Sequence, residues 1–317
     1  MVLAFFLGLF AVWVKSDLRL PEGFYNVLSY YLLLALGIKG GFSLSQSSFA
    51  VVIIPCIASL ILGCFLPVLA FFIARVMGKL KRTDAAALAA HYGSVSVITF
   101  MASLTFIEAT QFPVDGFMTA LVAILEIPGI VVALLLAQKG QSSYDDALKP
   151  MSLFKRVKII LVSKSILLLL GGLFIGLLSS AKGIQKISPF FVDPFQGILV
   201  LFLLDMGLVA GQRLKDIGIL KGFITFYAIF IPIVNAFIAI VIGHLIGLSV
   251  GSTVTFAAMA ASASYIAAPA AVRMSLPQAN PAVYLTAAIV VTFPFNLTIG
   301  IPLYFAFTKW WFSLFVN

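Results

Sequence analysis

Apolar stretches long enough to cross a bilayer follow one another along almost the whole of this chain, separated by only a few polar residues. With breaks taken at charged residues and at Pro or Gly, helices are expected over 2–14, 23–38, 50–76, 84–110, 116–137, 160–179, 195–212, 222–247, 252–275 and 282–308. A span takes about 20 apolar residues, so 317 residues divided this way leave no length for a separate water-soluble domain. Composition agrees: 62% of residues are hydrophobic and 10% charged, whereas a soluble domain keeps roughly a quarter charged. The solvent for this fold is lipid.

In a soluble protein a net charge of +9 would suggest nucleic acid; here it reports orientation. Placing the loop that carries Arg75, Lys79, Lys81 and Arg82 in the cytoplasm fixes every other loop by alternation. All Lys and Arg residues except Lys39, Lys182, Lys186 and Lys309 then fall on the cytoplasmic side, with both termini outside. The polar stretch from Lys139 to Lys164 reads as a cytoplasmic linker. Met1 to Val14 has no basic n-region and no small-residue cleavage site after it, so it reads as a short first helix and not a signal peptide. Cys56 and Cys64 lie about 12 Å apart along one helix, too far for a bridge.

The chain repeats itself. Leu33, Gly37, Gly41 and Leu44 match Leu203, Gly207, Gly211 and Leu214; Ser94 and Ser96 match Ser262 and Ser264; Pro128 matches Pro294. Residues 1–145, ending in the start of the linker, form a first five-helix repeat, and residues 146–317 form a second. Five is odd, so the second copy enters the bilayer from the opposite side. The expected fold is an all-α membrane protein of ten transmembrane helices in two inverted repeats, a frequent plan for secondary transporters with a site at the midplane.

Gly93-Ser94-Val95-Ser96 lies mid-span in the fourth helix and Ala261-Ser262-Ala263-Ser264 mid-span in the ninth. Small residues also serve close helix packing, but their matched positions point to two discontinuous helices. Each restart would present free N–H groups and a positive dipole end to an anion, with Ser as cap. Pro269 should disturb the ninth helix further, and Pro128 and Pro294 the fifth and tenth.

Two acids, Glu126 and Asp205, lie deep in spans, where a carboxylate is costly and by default functional. With carbonyls freed near the prolines and the side chains of Thr292 and Asn296, either acid would serve a cation site. His91, just before Gly93, is a further coupling candidate. The sequence contains no nucleophile–base pair, phosphate loop or metal-ligand spacing, so no enzyme is expected.

These residues resemble the sodium-dependent bicarbonate transporter family. The likeness runs through nearly all ten helices and is strongest in Gly93 to Ser96, in Ser262 to Ser264 followed by Pro269 and Arg273, and in Ala279-Asn280-Pro281. It extends to Asp193-Pro194 and Ile301-Pro302-Leu303. The resemblance implies a sodium-coupled symporter in the bacterial plasma membrane, a homotrimer whose gate and core domains each draw on both repeats. The core moves elevator-fashion, bicarbonate sits between crossing fourth and ninth helices, and sodium, close by, is the coupling ion. Carried over, the substrate contacts are Gly93, Ser94, Val95, Ser96, Ser262, Ala263 and Ser264.

Three positions depart from that pattern: Tyr265 stands where an acid is expected, His91 where a leucine is, and Glu126 where an aspartate is. A phenol is neutral at neutral pH, so Tyr265 offers sodium only its carbonyl and hydroxyl, and a weaker sodium requirement is expected. A PII-like regulatory partner comes with the resemblance too, and the short central linker argues against it. Two other readings stay open: a proton- or sodium-coupled carrier of another small anion, and an anion channel or sensor.

Overall fold

The computed structural model describes residues 2–21, 23–138, 161–214 and 222–315, with Lys158, Gly218 and Leu220. Most of the Lys139–Lys164 linker lies outside them. The fold is all-α: 81% of it is helix, and there is no strand among the described residues. Seven helices are long and apolar enough to cross a membrane: α2 (Phe24–Ser45), α3 (Phe49–Val76), the run Arg82–Glu108, α6 (Met118–Gln138), α9 (Phe195–Arg213), α10 (Gly222–Leu245) and α13 (Pro281–Ser313). Three further apolar helices are shorter: α1 (Val2–Trp13), α7 (Lys164–Leu178) and α11 (Val250–Ala260). The run Arg82–Glu108 divides into α4 (Arg82–Tyr92) and α5 (Val97–Glu108), and α11 is followed, after a gap, by α12 (Ala267–Ser275).

The proline rule is overridden in three places. Pro128 sits inside an α6 that continues unbroken. Pro294 leaves α13 continuous but flanked by two π-helical segments, Ala287–Thr292 and Asn296–Gly300, the usual local adjustment when a backbone donor is missing. Pro269 lies in the first turn of α12, where its N–H would have no intrahelical partner in any case, so it suits a helix start instead of disturbing one. The second helix, expected to stop before Lys39, runs on to Ser45.

Close crossings explain that last extension. In α2, a Cβ built on Gly37 would lie 2.5 Å from the Leu169 carbonyl of α7, and one on Gly41 only 1.9 Å from that of Leu173. The α1–α9 pair meets in the same manner, with Gly8 against Leu204 and Gly207 against Phe5. Backbone on backbone is how small residues hold helices together in lipid, where there is no hydrophobic drive between them.

Burial sorts the remaining helices. Residues 85–101 and 251–265 are unbroken runs of buried positions, so α4, the head of α5, α11 and the gap after it form the interior. By contrast α3 exposes Val51, Ile54, Ile57, Ile61, Phe65 and Phe72, a stripe at helical spacing of the kind lipid covers.

One helix was not expected. α8 (Ala181–Phe191) is capped by Ser180, whose hydroxyl accepts from the Gly183 N–H at 3.2 Å. It has no buried residue and is tied to α2 through Tyr31, which hydrogen-bonds the Phe190 carbonyl and packs on the Phe190 and Phe191 rings.

Candidate functional site

Two interruptions face each other at the centre. Between α4 and α5 the chain passes through Gly93, Ser94, Val95 and Ser96, and between α11 and α12 through Ala261 to Ile266. Ser96 takes an extended conformation, and its hydroxyl accepts from the Thr99 N–H at 3.2 Å, so it is the N-cap of α5. Ser264 acts similarly for α12, accepting from the Ala268 N–H at 3.3 Å. As the first positions of α5, Val97 and Ile98 have no carbonyl within the helix for their N–H groups to reach.

The gaps are bonded to each other. The Ser96 N–H donates to Ser262 Oγ at 2.7 Å, and the Ser264 N–H donates to the His91 carbonyl at 2.8 Å. The exchange is not symmetric. By analogy with Ser262, Ser94 would receive the Ser264 N–H, but that donor goes to His91, and the buried Ser94 hydroxyl has no partner. Of the expected substrate contacts, the structure therefore brings Gly93, Ser94, Val95 and Ser96 against Ser262, Ala263 and Ser264, and leaves Ser94 as a free polar group among them.

The C-terminal ends of α4 and α11 carry unpaired carbonyls at membrane depth, where each bare group is expensive. Asn235 of α10 donates its amide to both the Tyr92 carbonyl (3.2 Å) and the Ala260 carbonyl (3.1 Å). Asn296 donates to the Ala261 carbonyl at 3.0 Å and accepts from the Tyr304 hydroxyl at 2.7 Å. Thr292 donates to the Ala228 carbonyl at 2.6 Å, so the Tyr92 hydroxyl must be the donor in its 2.6 Å contact with Thr292. Thr292 and Asn296 thus hold the ends of the first half-helices. Asn235, Tyr92 and Tyr304, which complete this network, were not singled out from the sequence.

Glu126 is 1% exposed and its Oε2 has no hydrogen-bond partner. It lies one turn before Gly129, and Gly129 packs on the first gap: a Cβ there would be 2.0 Å from the Gly93 carbonyl oxygen. Gly93 rests in turn on Pro67, whose Cβ is 2.5 Å from the Cβ that a larger residue would add. Asp205, 8% exposed with Oδ2 unpartnered, belongs to α9 beside α1. The structure places Glu126 on α6, the helix whose Gly129 packs against the first gap, and Asp205 in a different helix pair.

His91 is fully buried. Its Nδ1 lies 2.7 Å from the Ala87 carbonyl, which can only accept, so the hydrogen is on Nδ1 and Nε2 is left without a partner. Its ring lies 4.6 Å from that of Tyr284. Tyr265 is in the second gap, its ring edge-on to Phe293 at 5.2 Å. Its hydroxyl makes no bond of normal geometry, although the Ser96 side chain is its electrostatic neighbour. Tyr265, Ile266 and Ala267 are among the residues that line a cavity of about 750 Å³, so the start of α12 borders open space.

No curated protein matches this chain. A family model does, over residues 1–309, and that range takes in both gaps, the Asn235–Asn296 network and every described helix up to the last residues of α13. The chain belongs to the Na⁺-dependent bicarbonate transporter superfamily, and is a multi-pass membrane transporter and not an enzyme.

Proposed function

We propose that this protein is a sodium-coupled bicarbonate symporter that binds the anion between the two gaps and works by alternating access. The observation that carries this reading is the pair of hydrogen-bonded helix interruptions with a buried, unpartnered Ser94 hydroxyl between them. An anion there is met by the N–H groups that begin α5 and by serine hydroxyls, with no fixed cation to trap it. Weak, directional binding of this kind suits a carrier that must also release.

The proposed architecture is ten spans in two inverted repeats, with the fourth and ninth crossing at their gaps. Supporting it, a repeat that relates the first helix to the sixth and the second to the seventh would exchange the α1–α9 crossing with the α2–α7 crossing. Both are observed, and both are built on glycine: Gly8 with Gly207, Gly172 with Gly37. Helices α1, α2, α7 and α9 would form the gate, stationary in a homotrimer of the bacterial plasma membrane, and the others the core that moves as an elevator.

Initial uptake of labelled bicarbonate into proteoliposomes, with and without an inward sodium gradient, tests the function, and counterflow separates a carrier from a channel. Ser96→Leu and Ser264→Leu are each expected to bring uptake to background while the protein still folds, because a branched side chain at a half-helix start covers the N–H groups. Normal uptake by both variants would place the anion elsewhere.

For the coupling ion, Glu126 is the acid near the gaps. Glu126→Gln is expected to weaken sodium activation about tenfold or more, as for loss of one charged ligand, while Asp205→Asn lowers only the yield of protein. The reverse result moves the cation to α9. Loss of uptake in Glu126→Gln with sodium dependence never present would instead favour proton coupling through this carboxyl.

A further inference from the structure

The cavity that Tyr265 lines is walled by α2, α7, α9, α12 and α13, with Ile130 of α6, and it carries more positive charge than one bicarbonate ion would balance. Lys164, Arg213 and Arg273, from three different helices, all line it, and no acidic side chain does so among the described residues. None of the three has an ion-pair partner among those residues: Lys164 stands over the Tyr30 ring at 5.5 Å, and Arg273 faces the Tyr284 hydroxyl. Two buried hydroxyls also line it, Ser29 beside Tyr25 and Tyr265 beside Ser96, and neither makes a hydrogen bond of normal geometry among the described residues.

A monovalent anion can pair with only one of these three cations at a time. An anion of two or three charges compensates them together. The rings of Tyr25 and Tyr30 and the side chains of Leu33 and Ile289 add apolar surface that a bare inorganic ion would not use. We propose that this cavity is a binding site for a multivalent organic anion, a polycarboxylate or a phosphate ester, separate from the bicarbonate position. By filling the space in front of Tyr265, the bound anion blocks transport. The alternation of charge places all three cations on the cytoplasmic side, so the ligand is a cytoplasmic metabolite that slows uptake when it accumulates. Binding stands independently of the transported substrate; only the block rests on the function proposed above.

The test is the unfolding midpoint of the purified protein in detergent, titrated with citrate, with glucose 6-phosphate and with acetate at constant ionic strength. Citrate or the sugar phosphate is expected to raise the midpoint saturably and acetate to leave it unchanged; whichever binds more tightly names the anionic group preferred. Lys164→Gln, Arg213→Gln and Arg273→Gln should each weaken that binding about tenfold, as for one charge-assisted hydrogen bond, while Lys309→Gln, outside the cavity, should not. Lys164 and Arg273 are exposed, so their replacement spares the packing and these two variants remain informative if Arg213→Gln folds poorly. No stabilisation beyond that by acetate, or full affinity in the Lys164 and Arg273 variants, overturns the site. Binding without any effect on bicarbonate counterflow overturns the block alone, and a protein that carries no bicarbonate leaves the binding result as it stands.

Discussion

Gly129→Ala is expected to reduce bicarbonate uptake to less than about a tenth of normal, although alanine is the better helix former. In an α6 with open space beside it, this substitution would stabilise by about 0.5–1 kcal/mol. Here the added Cβ would lie 2.0 Å from the Gly93 oxygen, 2.5 Å from its carbonyl carbon and 3.0 Å from the Ser94 nitrogen. All three are backbone atoms, so no side chain can rotate aside. The helix must draw back from the first gap or push it inward, and overpacking of this kind costs about 1–3 kcal/mol. Either movement displaces Ser94 and strains the 2.7 Å bond between the Ser96 N–H and Ser262. Initial uptake rates per reconstituted protein, beside the unfolding midpoint in detergent, check this. A raised midpoint with normal uptake would show that α6 does not support the gap.

Asn235→Leu is expected to give the largest loss of stability of any conservative-volume change in the interior. The amide donates to the Tyr92 and Ala260 carbonyls at once, and leucine leaves both bare in a fully buried position. At about 1–3 kcal/mol for each orphaned group, the sum is a large part of the 5–15 kcal/mol that typically separates folded from unfolded protein. Low recovery from the membrane and a strongly lowered unfolding midpoint are the expected readings. Asn235→Asp discriminates a cap from a cation ligand, because a carboxylate cannot donate to two carbonyls but would hold a cation better. Recovery and sodium-dependent uptake near normal in Asn235→Asp would make Asn235 a ligand; failure of both variants makes it the clasp of the two half-helices.

The places where local rules misjudged the chain share a cause. Pro128 was expected to disrupt the fifth helix, yet α6 passes through it while Gly63 of α3 leaves room, its nearest neighbour being the Pro128 ring. Lys39 looked like the end of the second helix, yet Gly37 and Gly41 seat α2 against α7 and carry it past the charge. Lys182 and Lys186 hid α8, whose Ile184, Ile187 and Phe191 follow helical spacing in a stretch too polar to be read as a span. In each case the decision belonged to a neighbour and not to the residue itself.

What the sequence by itself determined is what depends on the nearest few residues and on the solvent. Long apolar runs in lipid must satisfy their own backbone, so they are helices. Small residues with serines at positions 93–96 and 261–264 interrupt them, because serine offers a restarting helix its cap; the hydrogen bonds of Ser96 and Ser264 to Thr99 and Ala268 are that local chemistry. The tertiary structure alone decided which groups meet. Asn235 reads as one polar residue in an apolar helix until the ends of α4 and α11 arrive beside it, and Gly129 as a helix weakness until Gly93 rests on it. Ser94 and Ser262 stand at matched places in the sequence, but only the folded chain shows that Ser262 is bonded while Ser94 has no partner among the described residues. Contacts between residues on different helices depend on how whole helices pack, and that is set by the sum of many small backbone and side-chain fits with no signature at either residue.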